Sequence, residues 1–258
     1  MEIHEVVKGR GDQVIFYVHG FMPFLLSDFR KNNKNITDLF DTSFAGSVYF
    51  VDWDSTGFTK KSAVLKVLAI LSALPLPIFK FLRIPAVIGD FIIKFEGVDK
   101  DAKRCGLELL GEIKKTLPSN CRKKIYLIGH SLDSKVIHES LLTGKWSKIN
   151  LWNVVYLASA VKRNNDQNKH NEEFGRVLSQ IRGKLFNFYS YRDLALKVLK
   201  IKRIGLERII GIKKKQIEGG EKIVDVNSKL RHIQYTKQKE FRKCMEKIWD
   251  KGEIDLFF

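Results

Sequence analysis

A serine hydroxyl becomes a nucleophile only where a base takes its proton and backbone N–H groups hold the oxyanion it creates. Ser131 stands in a setting of that kind. The run KIYLI over residues 124–128 reads as a buried strand, Gly129-His130-Ser131-Leu132-Asp133 as a sharp turn, and residues 132–142 as a helix. Such a strand-to-helix turn lifts a serine above the sheet edge. It also sets the hydroxyl at a helix N-terminus, where unpaired N–H groups and the dipole favour negative charge. The plain alternative is a serine that only N-caps its helix after a glycine turn.

The base and its orienting acid must come from elsewhere. On an elbow of this type the chain order is nucleophile, acid, histidine. The strand-like residues 184–189 are followed by Ser190-Tyr191-Arg192-Asp193, which sets Asp193 at the carboxyl edge of a sheet. The strand-like residues 222–226 are followed by Asn227-Ser228-Lys229-Leu230-Arg231-His232, which sets His232 in a loop before the last helix. His138 and His170 also follow the serine. His138 lies on the elbow's own helix and His170 in a polar stretch, 164–171, with no strand to place it. Asp225 is the fallback acid, although a position inside a strand reaches poorly over the sheet edge.

The oxyanion needs two N–H donors. Leu132, after the nucleophile, supplies one. The strand at 14–18 (VIFYV) ends in His19-Gly20-Phe21-Met22, where the glycine lets backbone approach a substrate and the Phe21 N–H becomes the second candidate. His19, Gly20 and His130 are expected to line the substrate site. Asp133 departs from the pattern, because the last elbow position usually carries glycine. Its carboxylate predicts a wider elbow and a charge that opposes the oxyanion and raises the histidine pKa.

These groups need a frame. Apolar runs at 14–18, 47–52, 124–128, 153–157, 184–189 and 222–226, with 3–7 as an edge, read as strands, several of them continuously apolar as parallel strands covered on both faces must be. Helical patterns lie between them at 29–40, 86–117, 132–142, 172–181, 193–200 and 236–249. Strand and helix alternate, so the expected architecture is a doubly wound, mainly parallel sheet with helices on both faces. No linker interrupts the pattern, so residues 1–258 read as one domain.

At this point the chain resembles a known group. The pieces VHGF (18–21), DWDS (52–55), LIGHSL (127–132), FNFYSYRDLALKVL (186–199) and VDVNSKLRHIQY (224–235) look like the α/β hydrolases of the family containing transmembrane and coiled-coil domain protein four. That group carries a GHSLG elbow, a YS-x-x-D-x-x-L segment and a final GH-x-x-Y in the same order. The resemblance implies an α/β-hydrolase fold, a Ser131–Asp193–His232 triad and acyl transfer. Two positions differ, Asp133 at the elbow glycine and Arg231 before the histidine.

Composition narrows the rest. Lys and Arg number 46 against 29 Asp and Glu, a formal net charge of +17, which draws the chain towards anionic surfaces. Residues 59–95 combine an apolar core with Lys60, Lys61, Lys66, Lys80 and Arg83 at its edges, the pattern of a lid or interfacial helix meeting lipid. Lys197, Lys200, Lys202, Arg203 and Lys213–Lys215 form a second basic cluster suited to a phosphate headgroup. The substrate expected is a lipid-like acyl ester and the partner an anionic membrane surface; nucleic acid is not expected, because no aromatic-interleaved basic patch is evident. The acidic start lacks an apolar signal core and the longest apolar stretch is too short to span a bilayer. A cytoplasmic or peripheral membrane location follows, compatible with export by a dedicated secretion system. Cys105, Cys121 and Cys244 form no CxxC pair and read as ordinary thiols. The chemistry requires neither metal nor cofactor. The alternative function is a binding scaffold whose catalysis is impaired by Asp133.

Overall fold

Seven strands of β-branched and aromatic residues carry the architecture. The computed structural model describes residues 1–19, 44–53, 85–193, 196–197, 204–209, 217–230, 235 and 239–250. The strands are β1 (Glu2–Val7), β2 (Gln13–His19), β3 (Ser47–Asp52), β4 (Lys124–His130), β5 (Leu151–Leu157), β6 (Leu185–Tyr189) and β7 (Ile223–Asn227). They form one sheet in the order β1-β3-β2-β4-β5-β6-β7. All neighbours run parallel except β1, which pairs antiparallel with β3 through a bulge between Glu5 and Val7. The interior strands β2 and β4 to β6 are nearly wholly buried, as a parallel sheet with both faces covered demands. The edge strand β1 is half-buried or exposed at every residue and faces water.

Four α-helices are described: α1 (Pro85–Thr116), α2 (Leu132–Thr143), α3 (Gln167–Ser179) and α4 (Lys239–Asp250). α1 and α2 cross closely because Gly106 has no side chain; a Cβ there would lie 2.7 Å from Glu139 Cβ and 2.8 Å from the Val136 carbonyl oxygen. The expected mainly parallel α/β sheet is therefore what the chain forms. Among the other expectations, the helix at 29–40 and residues 59–84 of the candidate lid lie outside the described residues, while 85–95 belong to the first turns of α1.

One expectation is overturned. Within the polar stretch 164–171, residues 167–171 are helix and not loop. Asp166 caps α3, its carboxylate accepting the N–H groups of Asn168 at 3.0 Å and Lys169 at 3.3 Å, so the helix starts five residues before the expected Glu172. His170 is completely buried on it, its Nε2–H donating to the Ile209 carbonyl at 3.1 Å. The ladder His170, Phe174, Leu178 at i, i+4, i+8 is the packing face, hidden in the sequence because its first member is polar.

Among the parallel strands the order reverses direction once. After β3 the chain crosses over β2 to β4 and then proceeds outward through β5, β6 and β7. The carboxyl ends of β2 and β4 therefore sit side by side at the switch point, with Val18 in register with Gly129. Open α/β sheets bind ligands at such crevices.

Candidate active site

The tip of β4 carries Ser131 at that switch point. Its backbone has φ 57° and ψ −119°, a region that side chains rarely enter and that costs on the order of 1–3 kcal/mol. Surrounding bonds enforce it. The Ser131 N–H donates to the Leu157 carbonyl at 2.8 Å, and the Ser131 carbonyl accepts the Ala160 N–H at 2.9 Å. The chain then enters α2 at once, which presses the helix onto the strand. A Cβ on Gly129 would lie 2.6 Å from Ser134 N, and Ser134 Oγ–H donates to the Gly129 carbonyl at 2.6 Å. The plain N-cap alternative does not hold: Ser131 has the wrong backbone conformation for a cap, and its hydroxyl makes no cap hydrogen bond to α2. Leu132 opens the helix, so its N–H is one of the first-turn donors without an intrahelical acceptor.

Asp133 corrects a second expectation. The elbow is not widened, as the close passage of α2 over Gly129 demonstrates. The carboxylate is buried and accepts the indole N–H of Trp53 at 2.7 Å. Trp53, the residue after β3, is itself buried. Tyr17 on β2 lies near enough to register the charge: its hydroxyl pKa is raised, first by burial and then by Asp133. Sequence reasoning missed Trp53 as the partner of Asp133. Its only signal is the polar context Asp-Trp-Asp at a strand end, combined with an acidic residue elsewhere that needs a buried donor.

Asp193 follows β6 and is completely buried. Its N–H donates to the Ser190 carbonyl at 3.1 Å and its Oδ1 accepts the Leu196 N–H at 3.0 Å, so the carboxylate caps a helical turn. The turn is fastened by residues 204–209. Ser190 N–H donates to the Gly205 carbonyl at 2.9 Å, Gly205 N–H to the Ser159 carbonyl at 3.0 Å, and Ile204 N–H to the Val161 carbonyl at 3.1 Å. Gly205 must lack a side chain, because a Cβ would lie 2.4 Å from Ser159 N. The fallback acid Asp225 is engaged in this fastening: its Oδ1 accepts Asn187 Nδ2–H at 2.8 Å and the Ile209 N–H at 2.9 Å.

His232, Gly20 and Phe21 lie outside the described residues. Ser228 and Tyr235, before and after His232 in the chain, are described. Ser228 Oγ–H donates to the Tyr189 carbonyl at 3.1 Å and its oxygen lies 2.8 Å from the Tyr235 hydroxyl. Tyr235, three residues past His232, is buried with its hydroxyl 3.3 Å from the Phe188 carbonyl. Its ring centre lies 6.0 Å from that of His130. Its pKa is raised chiefly by burial, opposed by the Ser228 hydrogen bond and augmented by the Asp193 charge. Tyr235 thus lies beside His130, the neighbour of Ser131.

His19 ends β2 beside Phe50, with ring centres 5.5 Å apart. Burial lowers its pKa to about 4, so it is neutral near pH 7. The remaining histidines belong elsewhere. His138 on α2 lies between Tyr156 Oη at 3.2 Å and Glu173 Oε1 of α3 at 2.7 Å, and His170 is spent on Ile209. The three cysteines are free.

A seven-stranded sheet, parallel but for its first strand, with a strained serine elbow after β4 and a buried acid after β6, defines an α/β-hydrolase fold. No protein-family model matches the chain, and no curated protein matches it. Fifteen chains of solved structures do match. Among them is MenH from S. aureus, with a TM-score of 0.42 and 11% identity over 97% of this chain and 99% of that one.

Proposed function

We propose that the protein is a serine hydrolase that cleaves acyl esters, with a lipid-like substrate. Ser131 is the nucleophile, His232 the general base and Asp193 its orienting acid. His232 takes the Ser131 proton as the hydroxyl attacks the carbonyl carbon, and the N–H groups of Leu132 and Phe21 hold the oxyanion. Collapse expels the alcohol, which receives the proton from His232. Water, deprotonated by the same imidazole, then releases the acid and frees Ser131. His19, Gly20 and His130 would line the acyl side, and the chemistry is complete without a metal or cofactor. The likeness to the family of transmembrane and coiled-coil domain protein four supports the same assignment.

The observation that carries the reading is Ser131 itself. A non-glycine residue held at φ 57° and ψ −119°, at a switch point, with its hydroxyl unspent on the helix, has a cost that a cap would not incur. Pairing of Asp133 with Trp53 further supports chemistry over the scaffold alternative, because the carboxylate has a use within the fold. Lipid preference rests on the apolar, cation-edged residues 59–95 and the basic residues after Asp193. These suit contact with an anionic membrane surface from a cytoplasmic or peripheral position. No helix among the described residues is long and apolar enough to cross a membrane. The test is a fluorophosphonate probe. Labelling that disappears in Ser131→Ala, followed by turnover of medium-chain esters and binding to anionic liposomes, is expected; an unaltered chain that resists the probe refutes the proposal.

A further inference from the structure

We propose that Trp53 and Asp133 form a latch that positions the nucleophile, tying the end of β3 to the first turn of the elbow helix. The inference rests on the hydrolase reading above and adds two residues to its machinery. The partners are 80 residues apart in the chain and meet at 2.7 Å with both side chains buried. Asp133 lies two residues beyond Ser131, in the turn that Gly129 and Ser134 press against β4. Any movement of that turn moves the serine.

The chemistry of the pair explains why a carboxylate is tolerated where a small residue is usual. A negative charge in the first turn of a helix is favoured by the dipole, yet a buried carboxylate is expensive unless donors meet it. Indole is a donor without acceptor capacity, which suits it to meet a buried carboxylate. The charge also registers at Tyr17 on β2, which places it at the same switch point as the nucleophile. The pair thus ties the end of β3 to the first turn of α2 at the place where the reaction would occur.

A double-mutant cycle tests the latch on the full chain: unaltered, Trp53→Phe, Asp133→Asn, and both together. Each is read by the first-order labelling rate of the folded protein at saturating fluorophosphonate, by probe affinity, and by urea denaturation. Trp53→Phe is expected to slow labelling about tenfold to a hundredfold, the size of a small misplacement of a reacting group, with probe affinity held. Asp133→Asn costs a smaller factor, because its amide oxygen still accepts the indole N–H. Trp53→Phe costs distinctly less in the Asp133→Asn background than beside the carboxylate, since losing a donor is cheaper for a neutral group. An unchanged labelling rate in Trp53→Phe overturns the latch, as do equal factors in the two backgrounds. Failure of the unaltered chain to label refutes the hydrolase reading instead. In that event denaturation still decides whether the two residues are coupled, and additive effects overturn the pair altogether.

Discussion

The strain at Ser131 predicts that removing its side chain stabilises the fold, provided the replacement is glycine. Ser131→Gly removes a Cβ from a backbone held at φ 57° and ψ −119°, relieving about 1–3 kcal/mol. Glycine gives back about 0.4–1 kcal/mol through the freer unfolded chain. No cap bond is lost, because the hydroxyl makes none to α2. The net gain is then about 0–2.6 kcal/mol, to be read as a higher urea midpoint at constant slope. At about 2–4 °C per kcal/mol for a chain of this size, thermal melting rises by several degrees. Ser131→Ala keeps the Cβ and the strain, and stays near the parent. If the serine were only an N-cap, both variants would fall below the parent, alanine by about 1 kcal/mol and glycine by a few tenths. A glycine variant less stable than the parent therefore refutes the argument that this elbow stores strain for catalysis.

Two further outcomes follow from the site. Asp193→Asn is expected to lower probe labelling by about a thousandfold or more while the chain stays folded, since the histidine loses its orienting acid; Asp225→Ala should do the reverse, destabilising by about 1–3 kcal/mol through the exposed need of Ile209 N–H and Asn187 while the folded protein still labels. Equal labelling losses in the two variants would contradict the assignment. For His19, the folded pKa of about 4 lies below the ordinary 6.5, so protonation favours the unfolded chain. Its contribution is complete above pH 6.5, declines as pH falls towards 4 and is gone below it, roughly 3 kcal/mol in all. His19→Gln should flatten that slope in pH-dependent denaturation; an unchanged slope between pH 6.5 and 4 would show that another group carries it.

Much of this was legible in the residues. The interior strands announced themselves as apolar runs, because a parallel sheet buries both faces and leaves no polar alternation to confuse the reading. The elbow was legible for a related reason: Gly129 and Ser131 sit where strand and helix patterns meet with no loop between them. What escaped was nonlocal or masked by polarity. Trp53 and Asp133 meet across the chain, and no local pattern pairs an indole with a carboxylate 80 residues away. The first turn and a half of α3 was hidden by Asn, Lys and His residues, which only the Asp166 cap and the burial of His170 reveal as helix. The engagement of Asp225 likewise depends on residues 204–209 lying across β6 and β7, an arrangement that strand periodicity does not encode.

The route from Asp193 to Ser131 runs through main-chain atoms: from the turn at Ser190 to Gly205, from Gly205 to Ser159, and from neighbouring Ala160 to the serine carbonyl. A spacing set by peptide groups is indifferent to the identity of most side chains along it. The surrounding surface can therefore change in charge and shape while the spacing of Asp193 and Ser131 is kept. Gly205 is the exception, since any larger residue there would drive the two halves of the site apart.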